Sequence, residues 1–127
     1  MKELTLQRIP FTTDADQRLR TLKARTGITP NILCRIGFCL SLEEPGPPPP
    51  FPNHEKPGRE INRFTLLGKF DRLFVALLVS DMQSRETGLD SLDEYFVAHM
   101  NRGVELLTSR IKNLLDIAQI QPVTLRN

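Results

Sequence analysis

The chain has 127 residues, 39% of them apolar, and a formal net charge of +2. That length suits a single domain over residues 1–127, but a chain this short exposes much of its surface, so a core shared between copies is expected. The total charge excludes no partner, whereas its distribution is informative: residues 1–42 carry a net +4 and the remainder a net −2, an asymmetry that points to an anionic partner, most often nucleic acid.

Met1–Arg8 lacks the apolar core of a signal peptide. The longest apolar run, Leu73–Val79, falls far short of the ~20 residues of a membrane span. A cytoplasmic location without a membrane partner is therefore expected.

In Glu3–Ile9, Leu4 and Leu6 alternate with Thr5 and Gln7, the period of a half-buried strand, and Pro10 is expected to end it. Thr13 before Asp14-Ala15-Asp16 reads as a helix N-cap with an acidic first turn. Ala15, Leu19, Leu22 and Thr26 share one face of this first helix. Arg18 and Arg25 flank one side of that face, and Arg20 and Lys23 flank the other. Gly27 is placed to stop the helix.

Thr29 and Pro30 then open a second helix, as N-cap and first helical residue, running to about Leu42. It is apolar nearly all round, through Ile32, Leu33, Cys34, Ile36, Phe38, Cys39, Leu40 and Leu42. Such a helix is expected to be buried on most sides, partly by another subunit. Cys34 and Cys39 lie about 140° apart on it, which excludes a shared metal or an intrahelical disulfide. Both are read as small buried hydrophobes.

Residues 43–60 form a connector, with seven prolines between Glu43 and Gly58. It is either a stiff strap between two helical halves or a ligand for a proline-binding domain, and the strap is the simpler reading. Residues 61–122 make the C-terminal helical part. Arg63–Lys69 is a short strand or loop that packs Phe64 and Leu66. A third, mostly apolar and hence buried helix runs from Asp71 to about Gln83. Gly88 and Asp90 mark a turn, and Ser91 with Glu94 forms a capping box for the last helix. Leu92, Phe96, Met100, Leu107, Ile111 and Leu114 give that helix an apolar stripe. Gly103 is a candidate kink, and Pro122 closes the regular structure. The fold class is all-α, with at most a short N-terminal strand.

Catalytic signatures are lacking. The chain has no HExxH, CxxC, P-loop, GxSxG or GxGxxG. Its two histidines, His54 in the connector and His99 on the last helix, have no sequence neighbours that would recruit them to chemistry. A protein without enzymatic activity, metal or cofactor is expected.

Residues 1–42 read as strand, basic helix, tight turn and apolar helix. That is the order of the ribbon-helix-helix module, in which strands of two chains pair and enter the major groove. The outward residues of such a ribbon would be Glu3, Thr5 and Gln7, a poor set for reading bases. Backbone contact through Arg18, Arg20, Lys23 and Arg25 is the better reading, against a plain solvated charged face.

The stretch Leu22-Lys23-Ala24-Arg25-Thr26-Gly27-Ile28 is followed by Asn31-Ile32-Leu33-Cys34-Arg35 and Phe38-Cys39-Leu40-Ser41-Leu42. Together with Glu44-Pro45 and the later His99-Met100-Asn101-Arg102-Gly103, it resembles the DndE proteins of the bacterial DNA phosphorothioation system. The resemblance covers nearly the whole chain and is strongest over residues 22–45. It implies a small, non-catalytic member of the machinery that places sulfur in the DNA backbone. Such a member binds duplex DNA, including nicked duplex, forms homotetramers and works beside the other phosphorothioation proteins. Lys23 and Arg25 match the family's basic helix. Asp16, Thr21 and Ala24 stand where the resemblance leads one to expect basic groups, and Arg18 and Arg20 are placed to compensate. Two other functions fit the residues: an adaptor that assembles the other phosphorothioation proteins without touching DNA, and a ribbon-helix-helix transcriptional regulator.

Overall fold

The computed structural model describes residues 3–52, 56–85 and 91–111. His54, the Gly88–Asp90 turn, Leu114 and Pro122 lie outside them. The chain is mainly helical, as expected, with one small sheet.

Strand β1 covers Arg8–Phe11 and pairs antiparallel with β2, Arg59–Asn62, in the register Ile9 opposite Ile61. The strand therefore begins later than the Leu4/Leu6 alternation suggests, and Pro10 lies inside it. Its position explains why proline is tolerated. Gln7 and Phe11 turn their carbonyls toward the β2 side, accepting from Arg63 N at 2.9 Å and Gly58 N at 2.8 Å. Pro10 faces the other way, so β2 loses no donor to it. Asn101 covers that outer edge as a neighbouring strand would: its Nδ2 donates to the Pro10 carbonyl at 3.1 Å, and its Oδ1 accepts from Thr12 N at 3.0 Å. The order strand, helix, helix is present, but the strand's partner is β2 of the same chain, not a second copy.

Helix α1 covers Thr13–Thr26. Its N-cap is Thr12, one residue earlier than expected, whose hydroxyl accepts from Ala15 N at 3.0 Å. Gly27 ends it with φ 74°, in the left-handed region where glycine costs least. Helix α2 covers Pro30–Glu43 with Thr29 as N-cap. Past the connector, α3 covers Arg63–Leu67, a single 3₁₀ turn covers Gly68–Phe70, and α4 covers Asp71–Ser84. Helix α5 covers Leu92–Arg110 with Ser91 as N-cap.

Burial differs from expectation in one respect. Helix α5, not α2, is the central element. Leu92, Tyr95, Phe96, Val97, Ala98, His99, Met100, Gly103, Val104 and Leu107 are all buried on it. Helix α2 buries Leu33, Cys34, Gly37, Phe38, Leu40 and Ser41 but leaves Cys39 and Ile32 exposed. Helix α4 buries only Phe74 and Leu78, while Leu73 is 54% exposed. Phe64, expected to pack inward, is 65% exposed, and its neighbour Leu66 is the buried one. Arg63, by contrast, turns inward. It bridges Asp71 through two 2.8 Å bonds and donates to the Leu4 carbonyl at 2.6 Å, tying the N-terminal segment to α4.

Helices α2 and α5 cross at Gly37 and Gly103. A Cβ on Gly37 would lie 2.7 Å from the Gly103 carbonyl, and one on Gly103 would lie 2.4 Å from that of Gly37. Gly103 thus permits a close backbone crossing. It does not break α5, which runs through it as one helix.

Beside the crossing lies a buried polar network. Arg102 Nε donates to Ser41 Oγ at 2.8 Å. The Ser41 hydroxyl then donates to His99 Nδ1 at 2.7 Å, and His99 Nε2 donates to Asp81 Oδ2 at 2.9 Å. The Tyr95 hydroxyl donates to the same carboxylate oxygen, and Arg85 Nε donates to Asp81 Oδ1 at 2.9 Å. The Asp81 carboxylate can only accept and burial disfavours the imidazolium, so His99 is neutral with its proton on Nε2 and accepts from Ser41 at Nδ1. Arg85 also donates to the carbonyls of Leu42 (3.0 Å) and Glu44 (2.8 Å), and Arg102 to those of Ser41 (2.7 Å) and Gly46 (3.0 Å). Two arginines thereby satisfy the free carbonyls at the end of α2 and hold the start of the connector. The described start of the connector lies on its own chain, with Pro48 buried and Phe51 packed against the core.

Burial lowers the His99 pKa to about 4, and the attraction of Asp81 only partly opposes this. The folded state therefore binds fewer protons than the unfolded state between about pH 4 and the ordinary histidine value near 6.5. Unfolding free energy is expected to rise with pH across that window and to be fully present above it. Replacing His99 by Gln should flatten the rise in urea melts run at stepped pH, and an unchanged rise would contradict the neutral, buried assignment. Gly103→Ala probes the crossing. Overpacking costs about 1–3 kcal/mol and here meets backbone, so it should outweigh the roughly 1 kcal/mol that alanine gains over glycine in a helix. A lower urea midpoint is expected, and a raised one would refute the close approach.

Candidate nucleic-acid interface

Helix α1 turns its apolar face, Ala15, Leu19, Leu22 and Thr26, into the core. At about 100° per residue the remaining positions follow directly. Arg18 and Arg25, seven residues apart, share one edge of the buried face. Asp16, Arg20 and Lys23 share the opposite edge. The most outward positions are Gln17 and Ala24, which carry no charge. One chain therefore presents two short basic rows and not a single patch.

The four basic residues differ in their partners. Arg18 Nε bonds Asp14 at 2.7 Å, an exposed pair one turn apart. Such pairs contribute little to stability and exchange easily. Arg20 Nε lies 3.3 Å from both oxygens of Asp16. Lys23 and Arg25 are exposed and make no ion pair among the described residues. Both stand in the last turn of α1, where a cation also suits the helix dipole.

Asp16 is not an outward position. It is 8% exposed and accepts a 2.7 Å bond from Arg59 of β2. A basic residue there would face Arg59, so its acidity reflects the packing of β2 against α1. Thr21 is half-buried and Ala24 is exposed, so of these three positions Ala24 is the open one without charge. Arg59 was not legible as part of this edge: it lies 43 residues from Asp16, and no local spacing links them.

Groups of the types that carry catalysis lie away from α1. Ser41, His99 and Asp81 form a serine–histidine–aspartate relay, but Ser41 and His99 have no exposed surface. The serine oxygen already accepts from Arg102. The relay joins α2, α5 and α4 through these bonds. Burial pushes the Cys34 thiol up to about 12, far from a nucleophile's range. Cys39, expected to be buried, is exposed, and its thiol too is raised, by partial burial and then by Glu43. Among the described residues no group of three histidines, cysteines or carboxylates is arranged to hold a metal ion, and no helix is long and apolar enough to cross a membrane.

A second surface is apolar. Ile32, Phe64, Phe70, Leu73 and Leu77 are all more than a third exposed. Arg35 and Lys69 lie over the Phe70 ring, at 5.7 and 5.4 Å from its centre.

No curated protein sequence matches the chain. The crystal structure of DndE from Escherichia coli B7A, involved in DNA phosphorothioation modification, is similar at 25% identity with a TM-score of 0.65, covering 83% of this chain and 99% of that one. A DndE mutant structure, also described as involved in DNA phosphorothioation, shares the fold at 23% identity and a TM-score of 0.60, with the same coverage. The profile of the family described as DNA sulphur modification protein DndE matches residues 8–114. The match spans both helical halves and the strap between them, and the chain belongs to the DndE family of DNA phosphorothioation proteins.

Proposed function

We propose that this chain is a non-catalytic, DNA-binding accessory component of the phosphorothioation machinery, and that it contacts the phosphate backbone through α1. The observation that carries this reading is the exposure of Lys23 and Arg25, one on each edge of the helix, with no carboxylate partner among the described residues. Arg18 and Arg20 add a second cation to each edge. Their carboxylate partners are close but weakly held, so phosphate oxygens can replace them at small cost. The cations run along two edges of one helix, an arrangement suited to tracking phosphates, so the contact is expected to be independent of sequence.

Two edges per chain make a weak site. We place the protein in a homo-oligomer, a tetramer, in which repeated basic rows add up along a duplex. The exposed large apolar residues of α2 to α4 support self-association, since association would take them out of water. The same patch supports the second reading, an adaptor that assembles the other phosphorothioation proteins. The transcriptional-regulator reading loses its ground, because the β1 edge that a second chain would pair with is taken by β2.

A salt titration of duplex binding tests the proposal. Phosphate contact predicts that log K falls linearly with log salt, with a slope of about −0.9 per phosphate neutralised. Lys23→Glu with Arg25→Glu should weaken binding at low salt by roughly tenfold or more and flatten the slope, alike on unrelated sequences. Absence of duplex binding by the unsubstituted protein at low salt would overturn the DNA reading in favour of the adaptor.

A further inference from the structure

We infer that Arg59 of β2 is a positioning residue for the DNA-binding edge of α1: it neutralises Asp16 and so leaves Arg20 free to engage a phosphate. The inference rests on the proposed DNA reading and adds a residue that the sequence did not connect to it.

The geometry around Asp16 is asymmetric. Asp16 has two cationic partners of different character. Arg59 Nε bonds Oδ1 at 2.7 Å, and its side chain is only 25% exposed. Arg20 Nε sits 3.3 Å from each carboxylate oxygen, and its side chain is 65% exposed. The short, shielded bond is the durable one, and the long, solvated contact is the one that exchanges. Without Arg59, Arg20 would be the sole counter-ion of a carboxylate whose side chain is 11% exposed. Leaving such a group unpaired is costly, and Arg20 would be held.

The sequence order along this edge makes the consequence directional. Asp16, Arg20 and Lys23 follow one another on one side of α1, with Arg59 bonded to the first of them. With Arg59 the edge carries three cations and one anion, a net +2. Without it the net is +1, and one of the two remaining cations is committed to Asp16. The other edge, Asp14, Arg18 and Arg25, has a net +1 and a carboxylate that is 70% exposed, so it needs no such device. The β2 edge is therefore the stronger anion surface, and it is so because β2 lies against α1.

A salt-titration cycle with the full chain and a plain duplex tests this. Arg59→Met should lower the log–log slope by about one phosphate contact, as Arg20→Met does, and the two changes together should lower it no further. Asp16→Asn added to Arg59→Met removes the carboxylate that recaptures Arg20, and the slope should return. Asp16→Asn alone keeps Arg59 and should bind duplex at least as tightly as the unsubstituted protein, which covers the case in which Arg59→Met does not fold. Thermal melts confirm that each titrated variant is folded. Failure of Asp16→Asn to rescue Arg59→Met would overturn the inference, since Arg59 would then touch DNA itself or act only on the fold. Additive losses from Arg20 and Arg59, or weaker binding by folded Asp16→Asn, would also overturn it. If the unsubstituted protein shows no salt-dependent binding, it is the DNA reading that has failed.

Discussion

The close crossing of α2 and α5 is the constraint from which the rest of the structure follows. Gly37 and Gly103 let two backbones approach where any Cβ would collide. Once they touch, Phe38 stacks among Phe74, Phe96 and the His99 ring, and α5 becomes enclosed by its neighbours. An enclosed helix must satisfy every polar group it carries. Tyr95, His99 and Arg102 do so through Asp81, Ser41 and the last carbonyls of α2. None of the buried side-chain polar atoms among the described residues lacks a partner. The network is therefore a condition of the crossing.

That arrangement also decides which polar groups are enclosed and which are exposed. Ser41, His99 and Asp81, with Arg85 and Arg102, hold three helices and the start of the strap together. Binding groups are left to the periphery, on α1, which rests on α5 and on the sheet. Its start is set by Asn101, which clips Pro10 and Thr12, and its β2 edge is set by the Asp16–Arg59 pair. Core and interface are thus joined through a few named contacts: α5 fixes the strand end, the strand end fixes the N-cap, and the N-cap fixes the rotation of the basic rows. Membership of the DndE family places this scaffold in DNA phosphorothioation, and the proposed backbone contact is the part of that process its surface suits.

Much of this was legible in the sequence because the signals are local. Gly27, Thr29 with Pro30, and Ser91 mark helix ends through backbone needs that act within a turn, and the apolar spacing on α1 and α5 gives the correct buried faces. What was not legible is long-range. Pro10 looked like a terminator until β2 showed which way its backbone faces. Phe64 and Leu73 looked like core until the fold left them outside. Gly103 looked like a kink because its partner, Gly37, lies 66 residues away. Arg59 and Asp16 are likewise joined only by the return of the chain after the strap. The four basic residues were readable one by one, whereas their division into two edges with different counter-ions required the fold.

The central claim joins a basic helix to an assembly large enough to make it effective on DNA. Measuring the mass in solution, alone and with nicked duplex, tests both parts together. The mass of four chains is expected, with a further increase on adding duplex that corresponds to the intact assembly bound to DNA. A mass of 14.5 kDa, that of one chain, unchanged by nicked duplex at low salt, would contradict it.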